Sequence, residues 1–107
     1  MKRGSVWWVE FDPSVGSEIS KTRPAVIVSN DIANQFLARV VVIPLTSNVS
    51  RVYPGEAIVT VNSIKNKAMT DQIMSADKSR LKNKIDNLSD DDMISIEKAM
   101  KRFFNFL

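Results

Sequence analysis

Thr22-Arg23-Pro24-Ala25-Val26-Ile27-Val28 decides the reading of this chain. Proline has a fixed φ and no amide proton, so it suits the first position of a strand and holds the residue before it extended. The apolar run that follows does not alternate with polar residues, which predicts a central strand buried on both faces. Arg23 is therefore held at the mouth of a buried strand. Beside it is a turn-rich loop, residues 12–22, that carries Glu18, Ser20 and Lys21. A forked, permanently charged cation on a preset backbone suits the handling of phosphate.

Outward from this strand, Val6-Trp7-Trp8-Val9-Glu10-Phe11 reads as a strand that ends in the turn chemistry of Asp12-Pro13-Ser14. Asn30 or Asp31 can cap a short helical turn that runs through Gln35. Arg39 to Leu45 is a third strand, in which Pro44 predicts an edge or a bulge. Thr46-Ser47-Asn48 closes it with three adjacent polar side chains. Pro54-Gly55 is a turn, and Glu56 to Val61 alternates as a half-exposed strand. Residues 62–67 read as a polar, basic loop and Ala68–Met74 as a weaker strand. Asp77–Leu81 reads as one helical turn, and Leu81–Leu88 as extended. Ser89 and Asp92 have capping-box spacing at the head of a helix whose apolar face is Met93, Ile96, Met100, Phe103 and Leu107. Short strands followed by one terminal helix predict a mainly β, α+β domain over residues 1–107, a small, strongly bent sheet or barrel that carries a helix.

With 107 residues, 44% hydrophobic and 25% charged, the chain has the make-up of one soluble domain with a modest core. It has no cysteine and no histidine. Disulfides, thiolate metal sites and the usual neutral-pH acid–base residue are therefore excluded. A net charge of +3 favours a polyanionic partner. No apolar run approaches the length of a membrane span, so the protein is expected in the cytoplasm.

Polar side chains gather at strand ends: Glu18 and Arg23 around the second, Thr46 and Ser47 after the third, Asp71 and Gln72 later. These residues also carry a family resemblance. Arg3-Gly4 with Val6-Trp7-Trp8, the segment from Asp12 to Glu18, Thr22 to Asn30, and Val42-Ile43-Pro44-Leu45-Thr46-Ser47 together resemble the MazF/PemK toxin–antitoxin endoribonucleases. Asp71-Gln72 followed by Asp77-Lys78-Ser79-Arg80-Leu81 resembles that family's later motif. The resemblance implies an SH3-like barrel, a homodimer, and cofactor-free, metal-independent cleavage of single-stranded RNA. An acidic antitoxin is the implied protein partner. It casts Arg23, Thr46 and Glu18 as catalytic residues and Ser17, Lys21, Ser47, Asp71 and Gln72 as RNA contacts. Where some relatives have an arginine two residues before the later acid, this chain has Met69, which leaves more of the phosphate to Arg23.

The chemistry agrees with this implication. RNA carries its own nucleophile, the 2′-hydroxyl. Cleavage then needs a proton acceptor (Glu18 or Asp71), a cation for the charged phosphorane (Arg23) and a hydrogen-bond donor (Thr46). Two other functions fit the same barrel. A gyrase poison of the CcdB type would carry its activity in a terminal Trp-Gly-Ile, whereas this chain ends Phe104-Asn105-Phe106-Leu107. A non-catalytic binding module would not need the Glu18, Arg23 and Thr46 set. Trp7 and Trp8 point to opposite faces, so one is expected in the interior and the other toward a groove or partner. The Phe103, Phe104 and Phe106 cluster is expected in a core or dimer interface. The lysines and arginines from Lys65 to Lys84 read as a solvated face that could guide RNA or meet an acidic partner.

Overall fold

A computed structural model describes residues 1–11, 16 and 21–106. Ser17, Glu18 and Leu107 lie outside the described residues. The strands are β1 (Ser5–Glu10), β2 (Thr22–Ile27), β3 (Arg39–Thr46), β4 (Ala57–Val61), β5 (Ile64–Ala68), β6 (Met74–Asp77) and β7 (Leu81–Asn87). Helices α1 (Asp31–Phe36) and α2 (Asp90–Phe104) complete the chain, with 3-10 turns at Thr70–Gln72 and Lys78–Arg80. Strand order is β4-β5-β3-β2-β1-β7, with β6 also paired to β3, and these pairings are antiparallel. The sheet curls into a half-barrel.

The second strand is buried on both faces. Val26 joins an inner core with Val6, Ile43, Leu45, Val59 and, from α2, Met93 and Ile96. Its neighbours Ala25 and Ile27 join an outer core with Val9, Val40 and Val42. Both clusters exclude water, and each fully buried aliphatic side chain contributes roughly 1.5–3 kcal/mol.

Pro44 sits where β3 changes partners. Along one edge β3 pairs with β6 as far as Val42 and with β5 from Leu45 onward. On the other edge the Val28 amide donates to the Val41 carbonyl at 2.9 Å. With Ala25 opposite Pro44, the alternation of an antiparallel ladder turns the Pro44 nitrogen away from β2 and into this gap. The missing proton is thus at the seam between two partners, and the Pro44 carbonyl still accepts from Met69 at 2.9 Å.

Two stretches differ from the sequence expectation. Residues 62–67 are not a loop: Asn62 and Ser63, with φ of 48° and 66°, make a two-residue turn into β5. This turn geometry requires left-handed backbone at both positions, which Asn tolerates well. The lysines of β5 alternate with buried Asn66 and Ala68, so a polar-looking strand still has an inward face. Ala68–Met74 is not one strand either. The chain leaves β5, crosses at the Thr70–Gln72 turn and re-enters as β6, so that β3 can pair with both.

Helix α2 starts as its capping signal requires, Ser89 Oγ accepting from the Asp92 amide at 3.1 Å. The Asp92 carboxylate reaches across the molecule and accepts from the Thr60 amide of the edge strand β4 at 2.8 Å. Met93, Ile96 and Ala99 are buried, but Phe103, Phe104 and Phe106 are exposed. The last turn overhangs the sheet, so the aromatic run is not core. Phe103 lies against the turn at Pro54-Gly55, where the Glu56 amide donates to the Tyr53 carbonyl at 3.0 Å. Gly55 has φ of 90°, and a Cβ there would come within 3.2 Å of Phe103.

Candidate active site

The start of β2, the end of β3 and the turn from β4 into β5 enclose a cleft of about 410 Å³. Lys21, Arg23, Thr46 and Ser47 all border it, together with Trp8 and Asn62. Thus four of the residues singled out in the sequence meet at one place, brought there by the β2–β3 pairing. Arg23 follows the loop and stands opposite Val9 of β1. Lys21 has a left-handed backbone, φ 66°, and its carbonyl accepts from the Phe11 amide at 2.9 Å.

Thr46 ends β3 in a tight local bond: its Oγ1 accepts from the Asn48 amide at 3.2 Å. A hydroxyl that accepts in this way still has its own proton to give to an anion. Asn48 Oδ1 in turn accepts from the Ser50 hydroxyl at 2.8 Å. The segment after the strand is tied down further by Lys67, the residue opposite Thr46 in the ladder. Its Nζ donates to the Arg51 carbonyl at 2.8 Å and pairs with Glu56 at 3.4 Å. Lys67 therefore braces the loop beside the cleft and does not belong to a solvated basic face. Burial and a second partner, not composition, reveal that role.

Asp71 is placed elsewhere. It borders a separate hollow with Tyr53, Glu56 and Phe103, and Gln72 is in the same 3-10 turn. This turn follows directly on β5, whose end pairs with β3, and it packs against α2. Among the described residues that line the Arg23 cleft there is no carboxylate.

Asn62 was not singled out in the sequence. It enters the cleft because its turn is pinned to β7: the Asn62 amide donates to Asp86 Oδ2 at 2.9 Å. This contact joins the two ends of the curled sheet, and the Thr60–Asp92 bond ties the same edge strand to α2. The backbone amides of Asn62, first, and Asn87 hold the Asp86 carboxyl below its ordinary pKa. A carboxyl that ionises below its unfolded value, about 3.9, contributes stability in full above that value and loses it as pH falls through the lower folded value. Asp86→Asn is expected to lower the melting temperature at neutral pH, with the gap to wild type closing in acid. Thermal melts across pH check this; a gap independent of pH would show that the Asp86 charge is not what holds the turn.

A family model described as PemK-like, MazF-like toxin of type II toxin-antitoxin system matches residues 2–104. The chain belongs to this family. Endoribonuclease MazF9 of Mycobacterium tuberculosis is 36% identical over 94% of this chain and 93% of its own length. Endoribonuclease EndoA of Bacillus subtilis is 29% identical over 94% of this chain and 91% of its own. Among solved structures, an endoribonuclease in complex with its cognate antitoxin from a mycobacterial species superposes with a TM-score of 0.84. It shares 21% identity and covers all of this chain and 97% of that one, which shows the same fold. The SH3-like barrel implied by the sequence of this MazF/PemK toxin is therefore the fold found.

Proposed function

We propose that this toxin cuts single-stranded RNA in the Arg23–Thr46 cleft, without a metal, by attack of the substrate's own 2′-hydroxyl on the adjacent phosphate. Endoribonuclease activity comes with the family and its named relatives. The observation that carries the mechanism is the convergence of Lys21, Arg23, Thr46 and Ser47 on one open cleft. In the reaction the 2′-oxygen forms a bond to phosphorus, the bond from phosphorus to the 5′-oxygen breaks, and the departing oxygen takes up a proton. Arg23 offers a fork of N–H donors to the non-bridging oxygens as their charge grows, and the Thr46 hydroxyl adds another donor. The 2′-hydroxyl proton needs an acceptor. Of the two carboxylates considered, Asp71 borders a different hollow, so we assign the role to Glu18. Ser17 is proposed as a further RNA contact from the same loop.

The products are a 2′,3′-cyclic phosphate and a 5′-hydroxyl. Incubating the purified protein with single-stranded RNA in excess EDTA, and analysing both new ends, tests this. Loss of cutting in EDTA with recovery in magnesium would overturn it, as would 5′-phosphate ends.

The protein partner is an acidic antitoxin whose extended tail occupies the same cleft. Support comes from the net charge of +3 and the cationic residues of the cleft. A related endoribonuclease, moreover, has been solved with its cognate antitoxin. The exposed aromatic run at the end of α2 supports a second copy as the cover for that surface: Phe103 meets Phe104 edge-on at 5.1 Å, and Phe106 stacks on Phe104 at 5.6 Å. The cytoplasm, where messenger RNA is translated, is the compartment this activity needs, and no helix among the described residues is long and apolar enough to cross a membrane. RNA and antitoxin tail are expected to compete, more strongly at low salt. A saturating antitoxin that left RNA affinity unchanged would rule out occupation of the cleft, and a monomer by sedimentation would rule out the dimer.

A further inference from the structure

Phosphate chemistry accounts for only part of the cleft. Beside Arg23 and Thr46 its lining includes an apolar group: Trp8 on β1, Ile64 at the start of β5 and Ile85 on β7. Ile85 is the extra residue of a bulge, since Val6 pairs with Asp86 and Trp7 with Lys84. Bulges commonly re-aim a side chain at the rim of a barrel.

The two adjacent tryptophans are not equivalent. Trp7 packs on the outer core, and its Nε1 donates to Ser5 Oγ at 2.9 Å. Trp8 is opposite Pro24 in the β1–β2 ladder, next to the Arg23 position, and is 41% exposed. A large flat ring kept in water, in the wall of a cationic cleft, has the form of a stacking platform. A nucleotide joins a charged phosphate to a flat π face, and this cleft has a matching surface for each. Base–aromatic stacking tolerates every base, because every base has such a face.

We propose that Trp8 is the base platform of this site: the base of a nucleotide flanking the scissile phosphate stacks on its indole, with Ile64 and Ile85 bordering the same hollow. The proposal rests on the endoribonuclease reading and adds to it the residue that sets which phosphate along the strand is presented to Arg23.

The test uses a labelled oligonucleotide made non-cleavable by a 2′-deoxy substitution at the cut, with binding followed by anisotropy. Trp8→Ala is expected to weaken binding about 5- to 150-fold, the range for loss of one base stack, and Trp8→Phe far less. A series of strands, each lacking one base, then locates the contact. At a single position, removing the base should weaken the wild type and cost Trp8→Ala nothing. Wild-type affinity in a folded Trp8→Ala protein, or a penalty that persists at every abasic position, would overturn the platform. If Trp8→Ala does not fold, a Trp7→Phe protein keeps Trp8 as its lone indole. Its fluorescence should be quenched by the full strand and unaffected by the strand abasic at that position; no quenching by any strand would overturn the proposal. Cleavage of the all-ribose strand is measured alongside. Cutting with no engagement of Trp8 would sink the platform alone, whereas binding through Trp8 with no cutting would sink the nuclease reading alone.

Discussion

Replacing one 2′-hydroxyl by hydrogen, on the nucleotide 5′ to the cut, is expected to abolish cleavage while the strand still binds. The expectation follows from where the nucleophile resides. The described cleft offers cations, hydroxyls and amides. In the proposed mechanism the attacking oxygen belongs to the substrate, and the protein supplies charge and position. An all-DNA strand of the same sequence should be a competitor and not a substrate, since its backbone meets the same Arg23 and Lys21. Binding of the single-deoxy strand should be nearly unchanged. Measuring cleavage by gel and affinity by anisotropy on the same strands separates the two effects. Continued cutting of the single-deoxy strand at the same bond would mean that water or a protein group attacks, and the mechanism proposed above would fail.

Arg23→Ala should lower the cleavage rate by roughly a hundred- to a thousandfold, the cost of removing one preorganised contact to a developing oxyanion, about 2.7–4 kcal/mol. The accompanying loss of stability should be smaller, about 1 kcal/mol, because Arg23 is at the partly open end of β2 and the buried residues of that strand are Ala25, Val26 and Ile27. Arg23→Lys keeps the charge without the fork and should recover only part of the rate. Thr46→Val removes one hydroxyl with little change of shape. A hydrogen bond to a charged group is worth about 1.5–3 kcal/mol, so a loss of roughly ten- to a hundredfold is expected. Single-turnover rates and melting temperatures on the same preparations decide the matter. A folded Arg23→Ala protein that cuts at the wild-type rate would take Arg23 out of the reaction.

Much of the fold around this cleft is legible in the sequence. Pro24 marked the start of a buried strand, Pro54-Gly55 a turn and Ser89 a helix start, because each acts through local backbone chemistry. Arg23 and Thr46 could be singled out for the same reason: both are at strand ends that the sequence marks. What stayed hidden depends on residues far apart in the chain. The strand at Ile64–Ala68 looked like a basic loop because its outward side chains are charged, and only its partners on β3 and β4 make it a strand. Asp71 is grouped with Arg23 by the sequence, and only the folded chain shows that it borders a second hollow with Tyr53, Glu56 and Phe103. Alternation showed that Trp7 and Trp8 face opposite ways, but not which of them faces the cleft. That depends on which side of the curled sheet α2 covers. Lys67 reads as surface charge in the sequence, because its partners Arg51 and Glu56 are distant in the chain.

The way the sheet closes also bears on when the protein can act. β1 contains the first strand residues made, yet it lies between β2 and β7, and β7 begins only at Leu81. Ile85 and Asp86, which complete one wall of the cleft and pin Asn62, are among the last quarter of the chain. Arg23 and Thr46 are synthesised long before them. A chain that ends before β7 therefore carries Arg23 and Thr46 on an open sheet that lacks the wall and its carboxylate clasp. Long-range pairing of this kind forms late, after its loop-closure cost can be met. The cleft is thus complete only once the C-terminal segment has folded back on the N-terminal strand.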